Sequence, residues 1–151
     1  MELSDEILIS APRDKVYAAL MDPEVLKASI PGCEELTRLS DDEFTAKVVL
    51  KVGPVKARFG GQVTLDRSGA PERMSITGEG NGGVAGFARG GADVELIEEA
   101  GGTRLRYTAK ADIGGKIAQL GSRLILGTAK KLSAAFFSNF AATITEEVED
   151  G

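Results

Sequence analysis

KIAQLGSRLILGTAKKLSAAFFSNFAATITEE, residues 116–147, decides the fold of this chain. It holds no proline. Ile117, Leu120, Leu124, Leu132, Phe136 and Phe140 recur at helical spacing, which predicts one long C-terminal helix from about Gly115. Two features set this helix apart. Leu124-Ile125-Leu126 and Phe136-Phe137 are consecutive, and at about 100° per residue they cannot all face one layer. Leu126 and Phe137 are therefore expected outside the sheet contact. Gly121 and Gly127 fall inside the same stretch, where each weakens a helix by about 1 kcal/mol relative to Ala. They read either as bending points that open a pocket or as packing glycines.

Working outward from the helix, the preceding residues alternate. Leu105, Tyr107, Ala109, Ala111 and Ile113 alternate with Arg104, Arg106, Thr108, Lys110 and Asp112. Phe44, Ala46, Val48, Leu50 and Val52 form one strand, with Val49 the apolar exception on its outer side. Val55, Ala57, Phe59, Gly61, Val63 and Leu65 form the next, and Gly53-Pro54 between them is short enough only for a hairpin. Met74 and Ile76, then Ala92, Val94 and Leu96, mark two more strands. Leu3, Ile7 and Ile9 open an edge strand. Ser10-Ala11-Pro12 starts a short helix, with Ser10 or Ala11 at its cap, and Asp22-Pro23 a second helix that ends at Pro31-Gly32. Short hairpins force antiparallel neighbours, and one polar face per strand implies a sheet covered on one side. The fold expectation is α+β: one domain over 1–148 with a tail at 149–151. A curved antiparallel sheet of six to seven strands surrounds a long C-terminal helix, with two short helices after strand 1.

The inward positions are unusually small. Ala46, Ala57, Gly61, Ala92, Ala109 and Ala111 face the interior beside only a few large residues, and aromatics make up just 5% of the chain. Interiors pack as densely as organic crystals, so small residues need large ones opposite. The helix offers Gly121, Gly127, Ala129, Ala134 and Ala135 as often as bulk. Either the helix sits close to the sheet, or an apolar pocket lies between them.

Composition excludes several classes. The net charge of −5 lacks the basic footprint of a nucleic-acid binder. Histidine is absent, which removes the usual general base and the commonest transition-metal ligand. One cysteine allows no internal disulfide, and an acidic, alternating N-terminus is unlike a signal peptide, so a cytoplasmic location is expected. No metal or covalent cofactor is expected.

Gly78-Glu79-Gly80-Asn81-Gly82-Gly83 matches G-x-G-x-x-G, but it leads into another strand and not a helix, so a dinucleotide site is rejected. Cys33 beside Glu34 and Glu35 reads as an inert wall thiol. Asp41-Asp42-Glu43 and Glu146, Glu147, Glu149 and Asp150 read as a solvated turn and tail. Arg123, Lys130 and Lys131 form a basic helix face, ordinarily only solvated, that suits a headgroup or an acidic partner.

The element order resembles the helix-grip (START/Bet v 1-like, SRPBCC) superfamily. More specifically, the chain resembles the carbon monoxide dehydrogenase CoxG family. The resemblance rests on Ala11-Pro12 with Val16-Tyr17-Ala18-Ala19-Leu20, on Ile30-Pro31-Gly32-Cys33, and on Val52-Gly53-Pro54-Val55-Lys56-Ala57-Arg58-Phe59. Gly102-Thr103-Arg104-Leu105-Arg106-Tyr107 and residues 114–125 complete it. It implies a non-catalytic accessory to a molybdenum hydroxylase, such as aerobic carbon monoxide dehydrogenase, with quinone or lipid binding and recruitment to the inner face of the membrane. Many members carry an amphipathic tail. This sequence stops at Gly151 after its last helix, so peripheral membrane contact without a tail anchor is expected.

Strand parity then predicts an apolar ligand wall at Val52, Ala57, Phe59, Val63, Met74, Ile76, Phe87, Tyr107, Ala109, Leu120, Leu124 and Phe136. Leu26, Ile30 and Cys33 are expected near its mouth, and the Tyr107 hydroxyl is the polar handle. Two rivals stand beside this carrier reading. One is a ligand-free assembly factor docking through Leu126 and Phe137. The other is a cyclase- or aromatase-like enzyme, for which Asp5 is the sole inward acid.

Overall fold

Seven strands form one antiparallel sheet in the computed structural model, which describes residues 1–150, with side chains through Thr145. In chain order the elements are β1 (Glu2–Ile9), α1 (Arg13–Ala19), α2 (Pro23–Ser29), β2 (Cys33–Ser40), β3 (Glu43–Val52), β4 (Val55–Asp66), β5 (Arg73–Asn81), β6 (Phe87–Glu99), β7 (Gly102–Gly114) and α3 (Ser122–Asp150). The sheet order is β1-β7-β6-β5-β4-β3-β2, so β2 to β7 run as a meander and β1 returns to pair with the last strand. The expected acidic tail and the boundary at 148 fall outside the described side chains, although α3 itself continues to Asp150.

Local chemistry explains the entry helices. Pro12, extended at ψ 151°, is the N-cap of α1, where the sequence predicts Ser10 or Ala11. The Asp22 carboxylate caps α2 by accepting the Glu24 backbone N–H at 2.9 Å, with Pro23 pre-set in the first turn. At Gly32 the backbone has φ +75°, and a Cβ would stand 2.1 Å from the Val49 carbonyl oxygen. Only glycine lets α2 feed into β2 at that approach.

The C-terminal stretch differs from expectation. Lys116–Leu120 is a 3-10 turn, Gly121 sits at φ +95°, and α3 begins at Ser122. Gly121 is thus the break before the helix, because a left-handed residue cannot continue a right-handed one. Gly127 does lie within α3. β2 has no alternation to read. Glu34, Glu35, Thr37 and Arg38 surround a lone inward Leu36, and register shifts at both ends of the strand disrupt the period.

Apolar side chains collect in two clusters of unequal size. The larger joins Ile9, Val16, Leu20, Val25, Phe44, Leu65, Met74, Leu96 and Leu105 to Phe140 and Ile144 of α3. The Asn139 side-chain amide donates to the Ser29 carbonyl at 3.2 Å and ties α3 to α2. The smaller cluster, at the other end of the sheet, is Phe59, Ala85 and Ile117, with Leu50, Val55, Ala57, Ile113 and Leu120 packed against it. α3 spans the distance between the two.

Candidate functional site

Strand register places the inward glycines and alanines in adjacent rows. One row reads Ala111, Gly90, Gly78, Val63 across β7, β6, β5 and β4. The next reads Ile113, Ala88, Gly80, Gly61, Ala46 and ends at Leu36 on β2. A third begins Ala109, Ala92, Ile76. The middle of the inner face is therefore nearly bare backbone, and it lies between the two clusters. Val63, Ile76, Ala92, Ala109, Ala111, Val48 and Ala57 all face α3 yet stay partly exposed. In a filled two-layer interior these positions would be buried.

α3 and the turn before it pack at both ends of this bare strip. Leu124 packs over the β3–β4 turn, where a Cβ on Gly53 would meet its Cδ2 at 2.7 Å. Phe137 stacks on Tyr107 with ring centroids 4.9 Å apart, and Phe136 stacks on Phe140 at 5.7 Å. One and two turns before Phe136 and Phe137, the same helix face carries Ser133 and Ala129. Small residues of α3 thus stand near the partly exposed small residues of the sheet.

One polar group borders it. Burial raises the Tyr107 pKa, the neighbouring Ser133 hydroxyl partly offsets that, and the Asp5 carboxylate adds to the rise. Tyr107 therefore stays a neutral hydrogen-bond donor. Asp5, paired with Tyr107 across β1 and β7, is exposed. The bare rows themselves carry no ionisable side chain. Burial likewise raises the pKa of the Cys33 thiol, against an opposing effect of Lys27, which leaves it a poor nucleophile. Among the described residues, no group of three or more His, Cys, Asp or Glu is placed to hold a metal ion.

Of the residues expected to form the wall, Val63, Ile76, Tyr107 and Phe136 pack partly buried against the large cluster, Ala57 and Leu120 against the small one, Ala109 is partly exposed on β7, and Leu124 is exposed over the β3–β4 turn. Met74, 2% exposed, is sealed in the large cluster, while Phe59 is buried in the small one and Val52 is buried beside the β3–β4 turn. Leu26 packs against the large cluster from α2, and Ile30 and Cys33 follow it, partly buried. Phe87 is a correction. It pairs with Asn81 and Gly114 on the opposite parity from Ala88, so its ring lies on the outer face over Gly114 and beside Arg89. Parity counted back from Ala92 through Gly90 and Ala88 excludes it. Phe137 is another: it is turned inward onto Tyr107. Ala88 and Gly90 join the inward Gly78 and Gly80 in these rows, a juxtaposition legible only once neighbouring strands are aligned.

A separate depression of about 510 Å3 lies on the outer face, lined by Glu35, Lys47, Gln62, Glu79, Asn81 and Arg89 among others. Its walls are charged and open to water, and Lys47 is ion-paired with Glu35.

Known proteins share this fold. Residues 6–145 match the family model for CoxG of carbon monoxide dehydrogenase. No curated protein matches the chain. Among solved structures, a conserved protein from Geobacillus kaustophilus is 27% identical, with TM-score 0.89 over 97% of this chain and 96% of that one. A START superfamily protein from Mycobacterium smegmatis superposes at TM-score 0.75 with 8% identity, covering 96% of this chain and 97% of that one. The Zhui aromatase/cyclase from Streptomyces sp. R1128 gives TM-score 0.73 with 12% identity, covering 98% and 95%. These two share the START-like helix-grip fold.

Proposed function

The chain belongs to the carbon monoxide dehydrogenase CoxG family, and on that premise we propose that it is a non-catalytic accessory protein that holds an apolar ligand between sheet and α3. The observation that carries this reading is the strip of Gly and Ala beneath a helix held at both ends. A quinone or other isoprenoid ligand suits it: a long apolar molecule lies along bare backbone, and Tyr107 offers its hydroxyl to a carbonyl oxygen at one border. The free energy comes from removing ligand surface from water, about 25 cal/mol per Å2.

The family's name points to a molybdenum hydroxylase such as aerobic carbon monoxide dehydrogenase as the protein served, through recruitment, maturation or delivery of an electron acceptor. Catalysis by the chain itself is disfavoured by chemistry, since the bare rows hold no acid or base and Asp5 stands in solvent. Docking through Leu126 and Phe137 is disfavoured as well, because the Phe137 ring is engaged with Tyr107. Native mass spectrometry with solvent extraction, followed by a quinone series read through tyrosine fluorescence, tests the proposal. A retained lipid or saturable quinone binding is expected. A clean apo mass with no binding would return the chain to the ligand-free assembly reading.

A further inference from the structure

On the outer face of the sheet, turned away from α3, many polar side chains are engaged with one another. Arg104 pairs with Glu6 and Glu99, Arg106 with Glu6, Arg73 with Glu95 and Arg58 with Glu34. Ser75 donates to Asp93 and Ser4 to Thr108. Around the 510 Å3 depression the pattern changes. Thr45, Gln62, Glu79 and Arg89 stand in one register row across β3, β4, β5 and β6. None of the four makes a side-chain hydrogen bond or an ion pair among the described residues. In the next row Asn81 accepts the Gly83 backbone N–H through Oδ1 at 2.8 Å, which leaves its NH2 group uncommitted.

The depression follows from a missing side chain. Gly60 lies between Lys47 and Asn81, and a Cβ placed on it has no atom within 4 Å. A second depression of about 560 Å3 shares Gln62, Glu79 and Arg89 and adds Thr64, Thr77 and Asp112, so the two form one polar trough. Its charges argue against an anion. Lys47 and Arg89 are balanced by Glu35 and Glu79 in the first depression, and Asp112 adds a carboxylate to the second. Phe87, its ring 41% exposed, is the one large apolar side chain in the lining of the first, too little to anchor a protein partner or an apolar molecule. Strands β3 to β6 are paired on both sides, so no edge is free to take up an extended peptide.

A neutral, hydroxyl-rich molecule meets all of these conditions. A hydroxyl both donates and accepts, and here Arg89 and the Asn81 amide donate, Glu79 accepts, and Gln62 and Thr45 do both. Shallow walls leave the far side of such a ligand in water, and the negative face of the Phe87 ring attracts the C–H groups of a pyranose. We propose that the trough over Gly60 is a binding site for a neutral saccharide. It lies across the sheet from the ligand proposed beneath α3 and does not depend on it.

NMR titration of the whole chain with cellotetraose and maltotetraose, two neutral glucans, tests this. Saturable shifts are expected at the amides of Lys47, Gly60, Gln62, Asn81 and Arg89, with a dissociation constant on the order of 1 mM for a handful of solvent-exposed hydrogen bonds. Gln62→Ala and Glu79→Ala, both at exposed positions, each weaken binding about fivefold. Gly60→Leu directs its side chain into open space, keeps the fold and abolishes binding, while Ser4→Ala elsewhere on the outer face leaves binding unchanged. No saturable shifts with either glucan overturns the proposal, as does binding that survives Gly60→Leu or is unaltered by Gln62→Ala. Shifts at these amides with glucose 6-phosphate but not with the glucans also overturn it and assign the trough to an anion.

Discussion

Filling the hollow with a side chain distinguishes empty space from a tightly seated helix. Ala109 lies between Leu3 of β1 and Ala92 of β6 and is partly exposed although it faces α3. Ala109→Phe adds about 100 Å2 of the 150–250 Å2 that an aromatic side chain buries. Full burial of that surface is worth about 2.5 kcal/mol at 25 cal/mol per Å2. Because the hollow is open to water, roughly half of it is realised, about 1 kcal/mol. In a filled interior the same ring overpacks and costs about 1–3 kcal/mol. The sign of the change therefore decides. Urea unfolding is expected to show a gain, matched by a rise in Tm of about 2–4 °C for a chain of this size. Quinone affinity is expected to drop at least about tenfold, since the ring occupies the ligand's place. Destabilisation with quinone affinity intact would refute the hollow.

Two further perturbations probe other parts of the same reasoning. Gly121→Ala places a Cβ on a residue at φ +95° and is expected to cost about 1–2 kcal/mol, whereas Gly127→Ala, with open space around its Cβ, is expected to stabilise by up to about 1 kcal/mol; unfolding curves that rank the two the other way would put the helix start elsewhere. Burial raises both Tyr17 and Tyr107, the chain's two tyrosines, above the ordinary phenol pKa. The folded state then holds phenolic protons that the unfolded state releases, so stability declines as pH rises from the ordinary value through the folded one. Phenolate absorbance is expected to lag behind that of the urea-unfolded chain, and coincident titrations would show both rings to be solvated.

Much of this architecture is written in local pattern. β3, β4 and β7 alternate cleanly because one face is wet and the other covered, and Gly53-Pro54 leaves no connection but a hairpin. The parts that stay hidden depend on partners far along the chain. β2 turns inward little beyond Leu36, so its strand character comes from pairing with β3. The break at Gly121 needs a backbone angle that composition does not encode. Phe87 looks like wall in a linear reading because a large aromatic follows a glycine-rich run, and only its register against Asn81 and Gly114 turns it outward. The site itself is half visible. Ala57, Ala109 and Ala111 can be counted strand by strand, but the bare strip through Gly61, Gly80 and Ala88 exists only across strands.

The return of β1 to β7 sets a timetable for the chain as it emerges during synthesis. Ser4 and Thr108 share a hydrogen bond 104 residues apart, and the Thr103 hydroxyl donates to the Ala11 carbonyl, 92 residues apart and buried. The first strand made is thus among the last to find its place. Ile9 and Val16, fully buried in the finished protein, have no shelter until Leu105 and then Phe140 have been added. Loops of such length close slowly, and contacts this distant in sequence delay the rate-limiting step. Before β7 is added, the meander from β2 to β6 has both edges unpaired and its apolar face uncovered, a species prone to aggregate.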